Sequence, residues 1–269
     1  MDSLRRVVSE GLLGESADEG CSCRATFDGD RLRVDAASCV DGGRLETCPD
    51  CRATVVQALA DRDADSVHVR DSGFECVYDG TAAAILVAAG RFLDAIRHRE
   101  ERLADRVARD PLGTAREAIG RADAVGDIAA ETGLAVATDG ATDTERALAP
   151  QTGLTVSDWR VDTTTPPTAT LTECRDLDTG STVRLYHLPD GRDRYVLDPV
   201  GHDLGRDETA ILARAYDRLA AGAVTGGDRA AGRAVRRVAA TDDTASEIPV
   251  EQLARVLHRH TRGHGLLAD

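Results

Sequence analysis

Five of the seven cysteines lie in one short stretch near the start of the chain. They are Cys21, Cys23, Cys39, Cys48 and Cys51. A cysteine thiolate is a preferred ligand of zinc, which takes four ligands in a tetrahedron at structural sites. The two-residue spacer of Cys48-x-x-Cys51 lets both sulfurs approach one ion from a tight turn. The pattern therefore predicts one structural zinc ion held by four of the five thiols, with a redox or iron–sulfur role and buried or incidental thiols as the alternatives.

The expected compartment decides between metal ligands and disulfides. The opening residues, MDSLRRVVSEGLLGESADEG, are amphipathic and then acidic, which is unlike a signal peptide. No stretch as long as a bilayer requires, about 18 residues, is apolar throughout. We therefore expect a cytoplasmic protein, in which thiols stay reduced and clustered cysteines are metal ligands more often than disulfides. Cys76 and Cys174 stand alone in strand-like sequence, and both are predicted to be small core residues.

The remaining residue types nominate no catalytic site. His258, His260 and His264 lie close together, but no carboxylate is interleaved with them as in a zincin motif. We prefer to interpret them as part of a basic helix C-terminus, which is favourable against the helix dipole. The sequence has no lysine, hence no Walker A motif, and no G-x-S-x-G elbow. No catalytic or cofactor-binding residue is predicted, and a hydrolase or redox enzyme using the cysteines or histidines is the rival hypothesis.

The composition is strongly acidic. The formal net charge is −14, aromatic residues make up 3% of the chain, and every basic residue besides histidine is arginine. This composition is typical of an extreme halophile, and we expect a halophilic archaeon as the source. The excess of acidic residues then keeps the protein hydrated and soluble at high salt, and it does not indicate a binding partner. Nucleic acid is not an expected partner, because no basic stripe with interleaved aromatics is present to neutralise phosphates.

Residues 1–136 are predicted to form a Cys-rich zinc module and a helical bundle. The runs RATF and RLRVDA, joined by DGD, predict a hairpin, and SVHVRDSGFECVY alternates around Ser72 as a second hairpin would. Between them, RATVVQALADRDA has the apolar spacing of a helix. Residues 81–109 predict one long helix whose polar second half projects into solvent, and Asp110 begins the next helix.

A linker and a second domain are predicted to follow. Residues 137–170 are rich in threonine, aspartate and proline and predict a linker, unless Trp159 and Val161 pin this segment to the first domain as an extra strand. Residues 171–269 then predict an antiparallel meander from TLTECRDLD, STVRLYHL and RYVLD, followed by helices. The predicted fold class is α+β, with a small zinc-knuckle unit, a helical bundle and a small meander.

Several stretches resemble a known family. They are GCSCRATFDGDRLRVDAASC, PDCRATVVQALADRDADSVHVR, AAAILVAAGRFLDAI, LADRVARDPL and LARVLHRHTRGHGLLAD. Together they resemble the region upstream of the motor in the type II/IV secretion and pilus-assembly ATPases of halophilic archaea. The resemblance spans nearly the whole chain, and its most specific parts are the HTRG helix end and the spread of cysteines.

The resemblance implies a non-catalytic docking or regulatory module. In that family the ATPase core follows a segment like HTRGHGLLAD, so we expect a fragment, a split gene or a free-standing homologue. The implied partners are a secretion or pilus motor core or a membrane platform protein, with a homo-oligomer and a location at the inner face of the membrane. We also expect the apolar stripe of Leu253, Val256 and Leu257, with Leu266 and Leu267 beyond it, to be a docking element. The alternative is a free-standing zinc-binding adaptor unrelated to secretion.

Overall fold

The computed structural model describes residues 21–157, 160–161, 165, 168–178, 180–201, 204–241 and 249–262. The strands are β1 (Arg24–Asp28), β2 (Arg31–Asp35), β3 (Ser66–Asp71), β4 (Phe74–Tyr78), β5 (Gln151–Leu154), β6 (Thr170–Asp176), β7 (Thr182–His187) and β8 (Asp193–Asp198). The helices are α1 (Pro49–Asp61), α2 (Gly80–Ile96), α3 (Glu101–Arg109), α4 (Pro111–Ile119), α5 (Ala124–Glu131), α6 (Leu134–Ala137), α7 (Thr144–Ala147), α8 (Arg206–Ala220), α9 (Ala230–Ala239) and α10 (Val250–Arg262). No helix in these ranges has the length and apolar character needed to cross a membrane.

A five-stranded mixed sheet carries the first part of the chain, in the order β1-β2-β3-β4-β5. The predicted hairpins β1–β2 and β3–β4 are confirmed as antiparallel pairs. Strands β2 and β3 are parallel, so the chain must cross over between them, and α1 makes that crossover. The connection from β2 to α1 carries Cys39 and Cys48, and it therefore lies at one end of the sheet.

The core lies between one face of this sheet and the helices. In β2 and β3 every second residue is apolar and buried, namely Leu32, Val34, Val67 and Val69. This alternation follows from the two-residue period of a strand. Helices α1 and α2 pack against each other so closely that a Cβ at Gly90 would lie 2.6 Å from the backbone carbon of Leu59. The mixed architecture confirms the predicted α+β fold class.

The prediction of one long helix over residues 81–109 is wrong in two respects. The helical segment breaks after Ile96, and α3 begins at Glu101. Its second half does not project into solvent, because Leu103 and Val107 are buried against α1 and α2. Four apolar residues on one face of α3 are enough to fold it back onto the core, although the rest of its surface is charged.

The segment predicted as a linker, residues 137–170, contains regular structure. Residues 144–147 form α7, and residues 151–154 form β5, which pairs with β4 at the edge of the sheet. Thr152 and Val161 also exchange backbone hydrogen bonds of 2.9 and 2.8 Å. Trp159 lies outside the described residues. The chain between the two predicted domains is thus attached to the first sheet on both sides of residue 155.

The last part of the chain combines the three-stranded sheet β6-β7-β8 with helices α8, α9 and α10. The antiparallel meander is confirmed by the register of both strand pairs. The prediction that Cys174 is a core residue is wrong, because Cys174 lies on β6, whose residues are all exposed. Cys76, on β4, is buried as predicted.

The apolar stripe of α10 is buried within the chain. Leu253, Val256 and Leu257 are each at most 2% exposed and belong to a second core formed by α8, α9 and α10. The expectation that this stripe waits for a partner is therefore wrong. Hydrophobic burial against α9 already removes the three side chains from water. Leu266 and Leu267 lie outside the described residues.

Candidate metal centre

Four cysteine sulfurs meet at the end of the five-stranded sheet. The Sγ atoms of Cys21, Cys23, Cys39 and Cys51 all lie within 4.8 Å of one another. Cys51 is central, with its sulfur 3.5 Å from that of Cys21, 3.9 Å from that of Cys23 and 3.5 Å from that of Cys39. None of the seven cysteines forms a disulfide. The four thiols can therefore hold a metal ion.

Cys21 and Cys23 reach the site from the residues just before β1. In an extended chain, residues two apart point to the same side, so a one-residue spacer delivers both sulfurs together. Ser22 points away from the cluster, and its hydroxyl donates to the carbonyl oxygen of Ser38 at 2.7 Å. That hydrogen bond ties the segment before β1 to the loop after β2, which supplies the third sulfur.

Cys39 lies in the loop between β2 and α1, which is held close to the sheet. Its backbone N–H donates to the carbonyl oxygen of Ala36 at 2.9 Å. Gly43 follows in the left-handed region, with φ of +72°, and a Cβ there would lie 2.5 Å from a methyl group of Val69. Any residue with a side chain would push the loop away from β3. Glycine at this position therefore helps to place Cys39 within reach of the other sulfurs.

Cys51 is delivered by the first turn of α1, and Cys48 caps the same helix. The Cys48 sulfur accepts a hydrogen bond from the backbone N–H of Cys51 at 3.3 Å, which satisfies one of the unpaired donors at the helix start. The Cys48 sulfur also lies 3.1 Å from a carboxylate oxygen of Asp41. Asp41, Cys48 and Cys51 form a second close group, which shares Cys51 with the first.

The structure thus separates the five predicted ligands into four and one. The four are complete without Cys48, although sequence spacing singled out Cys48-x-x-Cys51 as the most specific feature. Asp41 was missed by the sequence analysis, and the only available signal was its position between two of the cysteines. His258 and His260 lie on α10, apart from both groups, and His264 lies outside the described residues.

The ionisation of the thiols in the metal-free chain depends on burial and on their mutual hydrogen bonds. Burial raises the pKa of Cys21 and raises that of Cys48 to about 12. The hydrogen bond with Cys23 and burial together raise the pKa of Cys51 far above its usual value. At Cys39 burial is outweighed by hydrogen bonds from Cys51 and from backbone N–H groups, and the pKa is lowered. A bound cation must therefore displace protons from most of the cluster.

A buried polar network fixes the loop that carries Cys39. The hydroxyl of Tyr78, on β4, donates to a carboxylate oxygen of Glu46 at 2.6 Å and accepts the backbone N–H of Leu45 at 3.0 Å. The guanidinium of Arg52, on α1, donates to the carbonyl oxygen of Leu45, and its Nε donates to that of Arg109 at 2.6 Å. Tyr78, Glu46 and Arg52 are all buried. The network holds the loop, α1 and the sheet in one arrangement.

Comparisons with protein-family models, with curated proteins and with solved structures give no match to this chain.

Proposed function

We propose that the chain contains a structural zinc module in which Cys21, Cys23, Cys39 and Cys51 bind one Zn²⁺. A regular tetrahedron with Zn–S bonds of about 2.3 Å has S···S edges of about 3.8 Å. The three separations from the Cys51 sulfur, 3.5, 3.9 and 3.5 Å, are close to that edge. This agreement, together with the approach of all four sulfurs to within 4.8 Å of one another, is the observation that carries the proposal.

A structural role fits the ligand set better than a catalytic one. Catalytic zinc keeps a position for water or substrate, whereas four protein sulfurs fill all the positions of the tetrahedron. The ligands come from three places in the sequence, namely the segment before β1, the loop after β2 and the start of α1. One ion therefore fastens the crossover to the sheet, and its binding energy contributes to folding.

The zinc content of the purified wild type and of three variants tests this ligand set. The wild type should carry about one equivalent of zinc, and Cys51→Ser should lose it. Cys48→Ser should keep the metal, because Cys48 is not one of the four proposed ligands. The serine oxygen can still cap α1 in place of the sulfur. Cys174→Ser, at an exposed position, is the matched control. A wild type purified without zinc would contradict the proposal, and equal loss from Cys48→Ser and Cys51→Ser would contradict the assignment of ligands.

For the module as a whole, we propose a docking or regulatory role toward the motor core of a type II/IV secretion or pilus-assembly ATPase. The support is the sequence resemblance in the cysteine region, the central helix and the HTRG segment. The test mixes the zinc-loaded chain with the purified motor core of such an ATPase, then measures association by size exclusion and ATP hydrolysis with and without the chain. Co-elution or a changed hydrolysis rate supports the role. Separate elution with an unchanged rate would instead favour the free-standing adaptor.

A further inference from the structure

Strand β6 is an exposed edge of the three-stranded sheet. All seven of its residues, Thr170–Asp176, are exposed, and in the described part of the chain it pairs on one side only, with β7. An edge strand presents a row of backbone N–H and C=O groups that another strand can pair with. The turn that joins β6 to β7 fixes the direction in which these N–H and C=O groups point.

The hydrogen-bond alternation of the β6–β7 hairpin places the backbone of Cys174 on the outer edge. The N–H of Leu177 donates to the carbonyl oxygen of Ser181 at 2.8 Å, so this is a hydrogen-bonded position of the hairpin. In an antiparallel pair such positions alternate along the strand, and the β6–β7 register is regular from Glu173 to Asp176, after an irregularity of the register between Leu171 and Glu173. Glu173 and Arg175 therefore direct their N–H and C=O groups toward β7. Cys174, between them, directs its own groups away from β7.

The charges beside Cys174 are self-complementary. Glu173 and Arg175 point to the same face of β6, with Arg175 Nη2 3.5 Å from Glu173 Oε1, and both side chains are more than half exposed. If a second copy of β6 pairs antiparallel about Cys174, then Glu173 of each copy lies opposite Arg175 of the other. These would be non-hydrogen-bonded pairs, in which opposing side chains come closest together. The four side chains would form a square of alternating charge.

The charges beside Cys174 are the reverse of those that protect an edge, and the register irregularity between Leu171 and Glu173 confines the pairing to the residues after it. Exposed edge strands are commonly shielded by charges that repel a second strand, and like charges directly opposite each other destabilise a pair. A run of one sign around Cys174 would have that effect on a second copy. The sequence Glu173-Cys174-Arg175 has the opposite effect, because its two charges attract each other across the axis.

We propose that β6 is a dimer interface, at which two copies of this chain pair antiparallel about Cys174 and join their meanders into one six-stranded sheet. The backbone groups of Cys174 then bond to those of Cys174 of the second copy. Neither the metal centre nor the docking role takes part in this pairing, so the inference does not rest on the proposed function.

Sedimentation equilibrium of the full chain and its charge variants tests the interface. E173R and R175E each place like charges opposite each other twice in the dimer, and each should raise the dimer dissociation constant about tenfold or more. The double variant E173R/R175E restores opposite charges and should return the constant to within about threefold of the wild type. Because exposed pairs are screened by salt, the measurement uses the lowest salt concentration at which circular dichroism shows every variant folded.

Net charge provides an internal control. E173R makes the net charge −12 and R175E makes it −16, whereas the double variant keeps −14. A general effect of charge repulsion between copies would therefore move the two single variants in opposite directions. Pairing about Cys174 predicts that both weaken the dimer and that the double variant recovers it.

A proline variant tests the backbone part of the interface. C174P removes the outward N–H at the axis and leaves the β6–β7 hydrogen bonds of Glu173 and Arg175 in place, which is where edge strands tolerate proline. It should abolish dimerisation, while C174S should dimerise like the wild type. A wild type that is still monomeric at about 1 mM overturns the proposal. A dimer that is unchanged by the single charge variants and by C174P overturns it as well.

Discussion

Replacing Glu75 with glutamine removes the negative charge from a buried ionic cluster at the centre of the first sheet. Glu75, on β4, is only 3% exposed. One carboxylate oxygen accepts the Nε–H of Arg70 at 2.6 Å and lies 3.7 Å from Nδ1 of His68, and the other accepts the Nε–H of Arg160 at 3.0 Å. Arg160 belongs to the chain after β5, so Glu75 attaches that segment to the sheet.

The expected loss is about 3 kcal/mol in the free energy of unfolding. Removing one partner of a buried ion pair typically costs about 3–5 kcal/mol, because the other charge stays buried without compensation. The side chain of Arg160 is 16% exposed and accounts for most of this cost, which its hydrogen bond to the carbonyl oxygen of Ser157 at 2.6 Å reduces, whereas Arg70 is 56% exposed and its pair contributes less than about 1 kcal/mol. The glutamine oxygen can still accept one hydrogen bond, which places the estimate at the low end.

Urea denaturation of the wild type and Glu75→Gln measures this loss. Glu117→Gln is the matched control, since Glu117 pairs with Arg106 at the surface and its replacement should cost less than about 1 kcal/mol. Glu75→Gln and Glu117→Gln of equal stability would refute the argument that Glu75 compensates a buried charge.

The same variant gives a pH prediction. Burial alone would raise the pKa of Glu75, but the nearby ring of His68 and the hydrogen bonds from Arg160 and Arg70 outweigh it and hold the pKa far below its usual range. A carboxylate with a depressed pKa stabilises the fold above its unfolded pKa, about 4.3, and this contribution is lost as the pH falls toward the folded value. The stability difference between wild type and Glu75→Gln should therefore be constant above about pH 5 and shrink below about pH 4. A difference that grows on acidification would contradict this sign.

Three further predictions concern packing, the buried network and the metal. Gly90→Ala should destabilise the chain by about 1–2 kcal/mol, because its methyl group meets the backbone at Leu59 and the gain of about 1 kcal/mol in helix propensity offsets only part of the strain; a stabilised variant in thermal unfolding would contradict this. Tyr78→Phe should cost about 2 kcal/mol in urea denaturation, because it leaves the Leu45 N–H without an acceptor and Glu46 Oε2 without its donor, while Arg44 still pairs with Oε1, and an unchanged midpoint would count against the network. The apparent zinc affinity should fall as the pH is lowered, because zinc displaces thiol protons; competition with a chromophoric chelator measures it, and a pH-independent affinity would contradict thiolate ligation.

The sequence was sufficient for elements with a local cause. The β1–β2 hairpin follows from the DGD turn, where Gly29 adopts the left-handed φ of +59°, and α10 begins directly after Pro249, a residue that favours a helix start. The parallel pairing of β2 with β3 was not predicted, because it depends on α1 crossing over the sheet and not on any turn. Strand β5 was placed in a linker because residues 137–170 are rich in threonine, aspartate and proline, and its stability comes from pairing with β4.

At the candidate metal centre the sequence predicted a cluster of cysteines but not which four of the five would meet. Four of the five cysteines meet, and the pair Cys48-x-x-Cys51 is divided, since Cys51 occupies the centre while Cys48 caps α1 beside Asp41. Spacing alone shows which sulfurs can reach one ion, whereas the direction of each side chain depends on where the helix begins. The exposure of Cys174 was missed because a strand-like sequence does not show whether the strand has a core to face, and every residue of β6 is exposed.

X-ray absorption at the zinc edge, on the purified full chain and on Cys48→Ser, tests the central claim most directly. The proposed ligand set predicts four sulfur scatterers at about 2.3 Å from zinc, with the same spectrum for both proteins. An oxygen or nitrogen scatterer at about 2.0–2.2 Å, or a Cys48→Ser spectrum with fewer sulfur atoms than the wild type, would show that Cys48 or Asp41 binds the ion and would contradict the assignment of Cys21, Cys23, Cys39 and Cys51.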